Sequence, residues 1–116
     1  MATWTAAQLA TAVLRRLGVT GAGQTASAED SAVVTDAWTS LHPYLRRHSL
    51  AQFGAGAIEE ACQEPLAKWV AGQVYQHWGF TETEAQILRA ADEGWRQLRE
   101  AQSADRTPLP GRAKYL

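Results

Sequence analysis

Apolar residues recur every three or four positions through four separate stretches of this chain, and nowhere do they alternate along a stretch. A period near 3.6 puts such residues on one face of a helix, whereas a half-buried strand needs a period of two. The chain is thereby confined to an all-α fold of four main helices in a compact bundle.

Each helix carries its own punctuation. The first is expected from about Ala6 to Leu17, opened by a Thr5/Gln8 capping box and closed by Gly18. Its apolar face is Leu9, Val13, Leu14 and Leu17. A small-residue loop, Val19 to Ala26, leads to a second helix that Ser27 can cap, with Glu29 and Asp30 at its positive dipole end. Val34, Ala37, Trp38, Leu41 and Leu45 form its stripe, and Pro43 predicts a kink or break near His42 with a last turn reaching Arg47. Residues Ser49 to Ala57 read as an irregular connection anchored by Phe53. A third helical region covers Ile58 to Trp78, and Pro65 suits a short helix followed by a longer one. Leu66, Trp69, Val70, Gln73, Val74 and His77 share its broad face, and Gly72 in its middle marks close approach of a neighbouring helix. Thr81 to Glu84 forms a second capping box, after which Leu88, Ala91, Trp95 and Leu98 step along a fourth helix. The expected core includes Leu14, Trp38, Leu41, Trp69, Val70, Leu88, Trp95 and Leu98.

Periodicity stops at Ser103, and Pro108 and Pro110 favour an extended path beyond it. The organisation is therefore a bundle domain, 1–102, and an extended C-terminal docking tail, 103–116. One core suits a chain of 116 residues. A formal net charge of −1 with mixed signs argues against a chain that wraps DNA or lies on an anionic membrane. No apolar stretch is long enough to span a bilayer, and the N-terminus lacks a secretion signal, so cytoplasmic synthesis is expected. The single cysteine, Cys62, asks for no oxidising compartment.

No constellation suggests catalysis, a metal or a cofactor. His42, His48 and His77 lack a second ligand at metal-site spacing, and Cys62 reads as a small buried residue. Glu59, Glu60 and Glu64 cluster, which on a helix usually means a solvated face. Trp38, Trp69 and Trp95 fall on apolar faces and read as core. Trp4 and Trp78, near helix ends, are the better interface candidates. Arg46 and Arg47, with His48, could dock an acidic partner or a phosphate, or serve the dipole of their own helix. In the tail, Arg106, Arg112 and Lys114 alternate with Leu109, Tyr115 and Leu116, a mixture of charge and apolar anchors that suits a segment ordering on a partner. The expected partner-binding residues are thus Arg106, Leu109, Arg112, Lys114, Tyr115, Leu116, Arg46 and Arg47.

The run Leu14-Arg15-Arg16-Leu17-Gly18-Val19 followed by Gly21-Ala22-Gly23-Gln24-Thr25-Ala26-Ser27-Ala28-Glu29-Asp30 resembles the N-terminal signature of head-to-tail adaptor proteins of tailed bacteriophages and gene transfer agents. The likeness continues through Pro65-Leu66-Ala67, Tyr75 and Gly79 to the closing Ala113-Lys114-Tyr115-Leu116. The resemblance implies a structural virion protein at the head–tail junction, a connector without enzymatic activity. It would assemble as a ring, usually of twelve subunits, between the portal protein and a tail-side connector or stopper protein. DNA would pass through the ring without sequence-specific binding. The C-terminal segment would reach the portal, and the isolated chain, lacking a heptad seam, is expected to be monomeric. Two features depart from the family: the Ser49–Ala57 connection is short, and Pro43 interrupts the second helix. The alternative is a small helix-turn-helix DNA-binding regulator, against which no predicted helix carries a basic and polar reading face.

Overall fold

The computed structural model describes residues 3–21, 23–80 and 83–105, with side chains described as far as Gln102. Four helices form among them, α1 (Ala6–Leu17), α2 (Ala28–Arg47), α3 (Glu60–Val74) and α4 (Glu84–Asp105), with a 3₁₀ turn at Tyr75–Trp78. The described residues contain no strand, only an isolated antiparallel bridge between Trp4 and Ile58. No helix among them is long and apolar enough to cross a membrane. The fold is all-α.

Local chemistry sets the helix ends. The Thr5 hydroxyl accepts from the Gln8 N–H at 3.2 Å, and the Gln8 side-chain Oε1 accepts from the Thr5 N–H at 2.8 Å. This reciprocal box satisfies two donors that the first turn leaves orphaned. Gly18 closes α1 in the left-handed region at φ 81°. The Ser27 hydroxyl accepts from the Asp30 N–H at 3.1 Å, capping α2 as expected. At the other end of α2 a serine takes the left-handed position, Ser49 at φ 60°, with Leu50 N–H donating to Leu45 C=O at 2.8 Å and Ser49 N–H to Arg46 C=O at 3.0 Å. That pair of bonds is a Schellman closure without its usual glycine.

Neither proline divides its helix. α2 runs unbroken from Ala28 to Arg47 with Pro43 inside it, so of the kink or break expected near His42 the break does not occur. Pro43 and Thr39 are both exposed, so water can serve the Thr39 carbonyl that Pro43 leaves without a donor. α3 likewise passes through Pro65 as a single helix. The Thr81 side of the capping box before α4 lies outside the described residues; Glu84 accepts a hydrogen bond from the Tyr75 hydroxyl. α4 continues to Asp105, three residues past the expected boundary at 102, because nothing there interrupts its backbone bonding.

The core is shared by α1, α2 and α3, with α4 laid along α3. Leu9, Leu14, Val34, Leu45, Ile58, Leu66, Val70 and Leu98 are fully buried, and Trp38 is nearly so. Leu41 is half-buried against them. Two expectations fail. Leu88 is 42% exposed, because α4 turns Ala91, Gly94 and Leu98 to the core and leaves Leu88 to one side. Gln73 and His77 are exposed although Leu66, Trp69, Val70 and Val74 of the same expected face are buried; His77 lies beyond α3, in the 3₁₀ turn. The α3–α4 contact is close because glycines stand on both helices. A Cβ on Gly72 would lie 2.5 Å from the Ala91 Cβ, and one on Gly94 would meet the Pro65 carbonyl oxygen. Gly72 therefore marks the close approach that its place in the sequence suggested.

The Ser49–Ala57 connection is held down on α2. Trp38 Nε1 donates to Ala55 C=O at 2.9 Å, and His42 Nε2 donates to Phe53 C=O at the same distance. Leu50, Ala51 and Phe53 are buried beneath it, so Phe53 anchors the segment as expected. This short connection is part of the folded body.

A candidate interaction surface

Where the end of α2 meets the middle of α3 and α4, four rings assemble. Tyr44 of α2 and His48, which caps that helix one turn on, lie with centroids 4.6 Å apart. Tyr44 is parallel to Trp69 of α3 at 6.1 Å and 3°, and tilted against Trp95 of α4 at 6.1 Å. His48 meets the Trp95 edge at 5.8 Å, and the two tryptophans stand 5.5 Å apart. These separations are those of favourable offset and edge-to-face pairs. The cluster grades from buried to wet. Trp69 is 7% exposed, Trp95 half-buried, and Tyr44 41% exposed. Trp95, expected in the core, packs against it without being fully buried and also forms the floor of a surface patch.

Arg46 and Arg47 flank these rings in the last turn of α2, both exposed and without an ion pair among the described residues. Arg99, also exposed, follows Trp95 by one turn on α4. The patch therefore combines accessible π-faces with a positive rim, suited to an apolar anchor flanked by carboxylates or phosphates. The expected contact residues Arg106, Leu109, Arg112, Lys114, Tyr115 and Leu116 lie outside the described residues. Tyr44 is the functional candidate that the sequence reading passed over. Its i, i+4 spacing with His48 beside Arg46 and Arg47 was the available signal.

The other candidates are used internally. Trp4 is half-buried, its backbone bonded in both directions to Ile58 at 3.0 and 2.9 Å. Trp78 Nε1 donates to Asp30 Oδ1 at 3.1 Å, tying the 3₁₀ turn to the start of α2. Cys62 is fully buried, and its sulfur accepts from Gln102 Nε2 at 3.2 Å. Glu64 pairs with Arg16 of α1 at 2.8 Å, while Glu59 and Glu60 are exposed. Among the described residues no three His, Cys, Asp or Glu side chains gather as a metal site would require.

A cleft of about 230 Å³ also opens between α1, α3 and α4, floored by Leu17, Ala71 and Ile87 and rimmed by Arg16 and Lys68. Both cations are engaged. Arg16 is on Glu64, and Lys68 bonds Glu93 at 2.7 Å and Gln97 at 3.2 Å. The hydrogen bond and charge of Lys68 hold the Glu93 carboxyl below the usual carboxylate range. The cleft offers a ligand no uncommitted charge, and the aromatic patch is the better candidate.

Comparison of the chain with known protein families, curated proteins and solved structures gives no match.

Proposed function

We propose that this chain is a structural connector, one subunit of a ring at the junction of head and tail in a tailed-phage-like particle, acting by binding other proteins and not by catalysis. The observation that carries the reading is the aromatic patch of exposed Tyr44 and His48 over half-buried Trp95, with its arginine rim, mounted on a close-packed helical body. A large aromatic left in water beside uncommitted cations is the composition of a protein-docking surface. The resemblance of residues 14–30 to the adaptor signature gives that surface its context. In the fold the described residues of that run are tied by local hydrogen bonds. Arg15 reaches the Gln24 carbonyl at 3.4 Å, the Gln24 side chain accepts from the Gly21 N–H at 3.0 Å, and Ser27 caps α2.

On this reading the tail docks on the portal or a neighbouring subunit while the bundle supplies the ring wall. Co-sedimentation of the purified chain with capsids that carry a portal but no tail tests it. The chain is expected to pellet with portal-bearing capsids and to stay in solution with capsids lacking the portal. Equal recovery with both, or with neither, removes the reading.

A further inference from the structure

We infer that the aromatic–arginine patch docks the acidic face of a second copy of this chain, so that copies join head to tail. The inference rests on the ring reading above and assigns its subunit interface. The two faces are complementary in charge. One presents Tyr44, His48 and Trp95 rimmed by Arg46, Arg47 and Arg99; the other presents Glu59 and Glu60, both exposed, beside Glu64, whose own charge is met by Arg16. They also point away from one another. Glu60 precedes Trp69 by nine residues on α3, about two and a half turns, which sets the two on opposite sides of the helix. Opposite placement forbids both faces of one molecule from meeting within a symmetric pair. It produces a heterologous contact that repeats, and a repeating contact closes into a ring when its rotation allows.

The acidic face is the occupant favoured by charge, because the rim arginines lack partners among the described residues while Glu59 and Glu60 project to solvent. Exposed pairs of this kind are weak and screened by salt, which agrees with a chain that is monomeric when dilute and associates when neighbours are held close.

Disulfide trapping on the full chain tests the interface. Arg47→Cys and Glu60→Cys chains are prepared separately, mixed at low salt and oxidised; both positions are exposed, and Cys62 is buried out of reach. The mixture is expected to give a dimer containing one of each, and a chain carrying both substitutions is expected to give a ladder of higher species. Reversing the rim with Arg46→Glu and Arg99→Glu on the Arg47→Cys chain should lower the mixed dimer about tenfold or more. Reversing the acidic side as well, with Glu59→Arg, should restore it. Circular dichroism melts confirm that each variant is folded. Preferential Arg47→Cys self-dimers, absence of the mixed dimer, or rim reversal without effect would each overturn the interface. So would single-stranded DNA that binds the patch and excludes the second copy. Capsid docking is scored separately. Capsid binding without the mixed dimer sinks this interface and leaves the connector reading standing, whereas the mixed dimer without capsid binding does the reverse.

Discussion

Trp38 and Trp95 show what a tryptophan contributes in two different settings. Trp38 is 1% exposed and its indole N–H holds the Ala55 carbonyl, so Trp38→Ala removes a full core volume and a loop tether together. A urea melt should register a loss of about 3–5 kcal/mol. Trp95 is half-buried in the ring patch, and Trp95→Ala should cost clearly less, about 2 kcal/mol, since part of the site already faces water. Equal losses at the two positions would contradict this ordering. Ser49 offers the opposite sign. It sits at φ 60°, where a side chain is strained and glycine is not, and so Ser49→Gly should raise stability by up to about 1 kcal/mol. Unchanged or lower stability would mean that the left-handed closure of α2 is not the strained feature it is taken to be.

Among the elements, α4 depends on α3. Gly94 faces the Pro65 carbonyl and the Trp69 backbone N–H, and any added methyl group has to push the helices apart. Gly94→Ala gains about 1 kcal/mol of helix propensity and loses more to overpacking, a net destabilisation of about 1–2 kcal/mol in a denaturant melt. A stabilised variant would refute the close approach. The Lys68–Glu93 bridge spans the same two helices. Because Lys68 lowers the Glu93 pKa, the contribution of the pair is complete above the ordinary carboxylate range and is lost as pH falls through the folded value. Glu93→Gln should therefore flatten the acid side of the stability profile and leave the alkaline side unchanged. Helix identities were legible in the sequence because caps and periodicity are local signals: Thr5 with Gln8, Ser27, and the stripe through Val34, Trp38 and Leu45. What was not legible was which side of α4 meets α3. Leu88 and Ala91 share the periodic stripe, and the glycine at 94 decides between them by admitting the closest contact.

At the scale of the whole molecule, the candidate surface was only half visible beforehand. Arg46 and Arg47 could be read from the chain, but Tyr44, His48, Trp69 and Trp95 come from three helices and become one patch only when the bundle packs. Removing the tail separates folding from docking. A chain ending at Asp105, the last residue of α4, should keep the melting temperature of the full chain and lose its hold on portal-bearing capsids. Full retention of binding would move the docking element into the bundle. The most direct measurement is electron cryo-microscopy of tail-less, portal-bearing capsids incubated with the full chain. A ring of helical density beneath the portal, absent when the chain is withheld, is the predicted result; portals left bare at saturating concentrations of a folded chain would contradict the connector account.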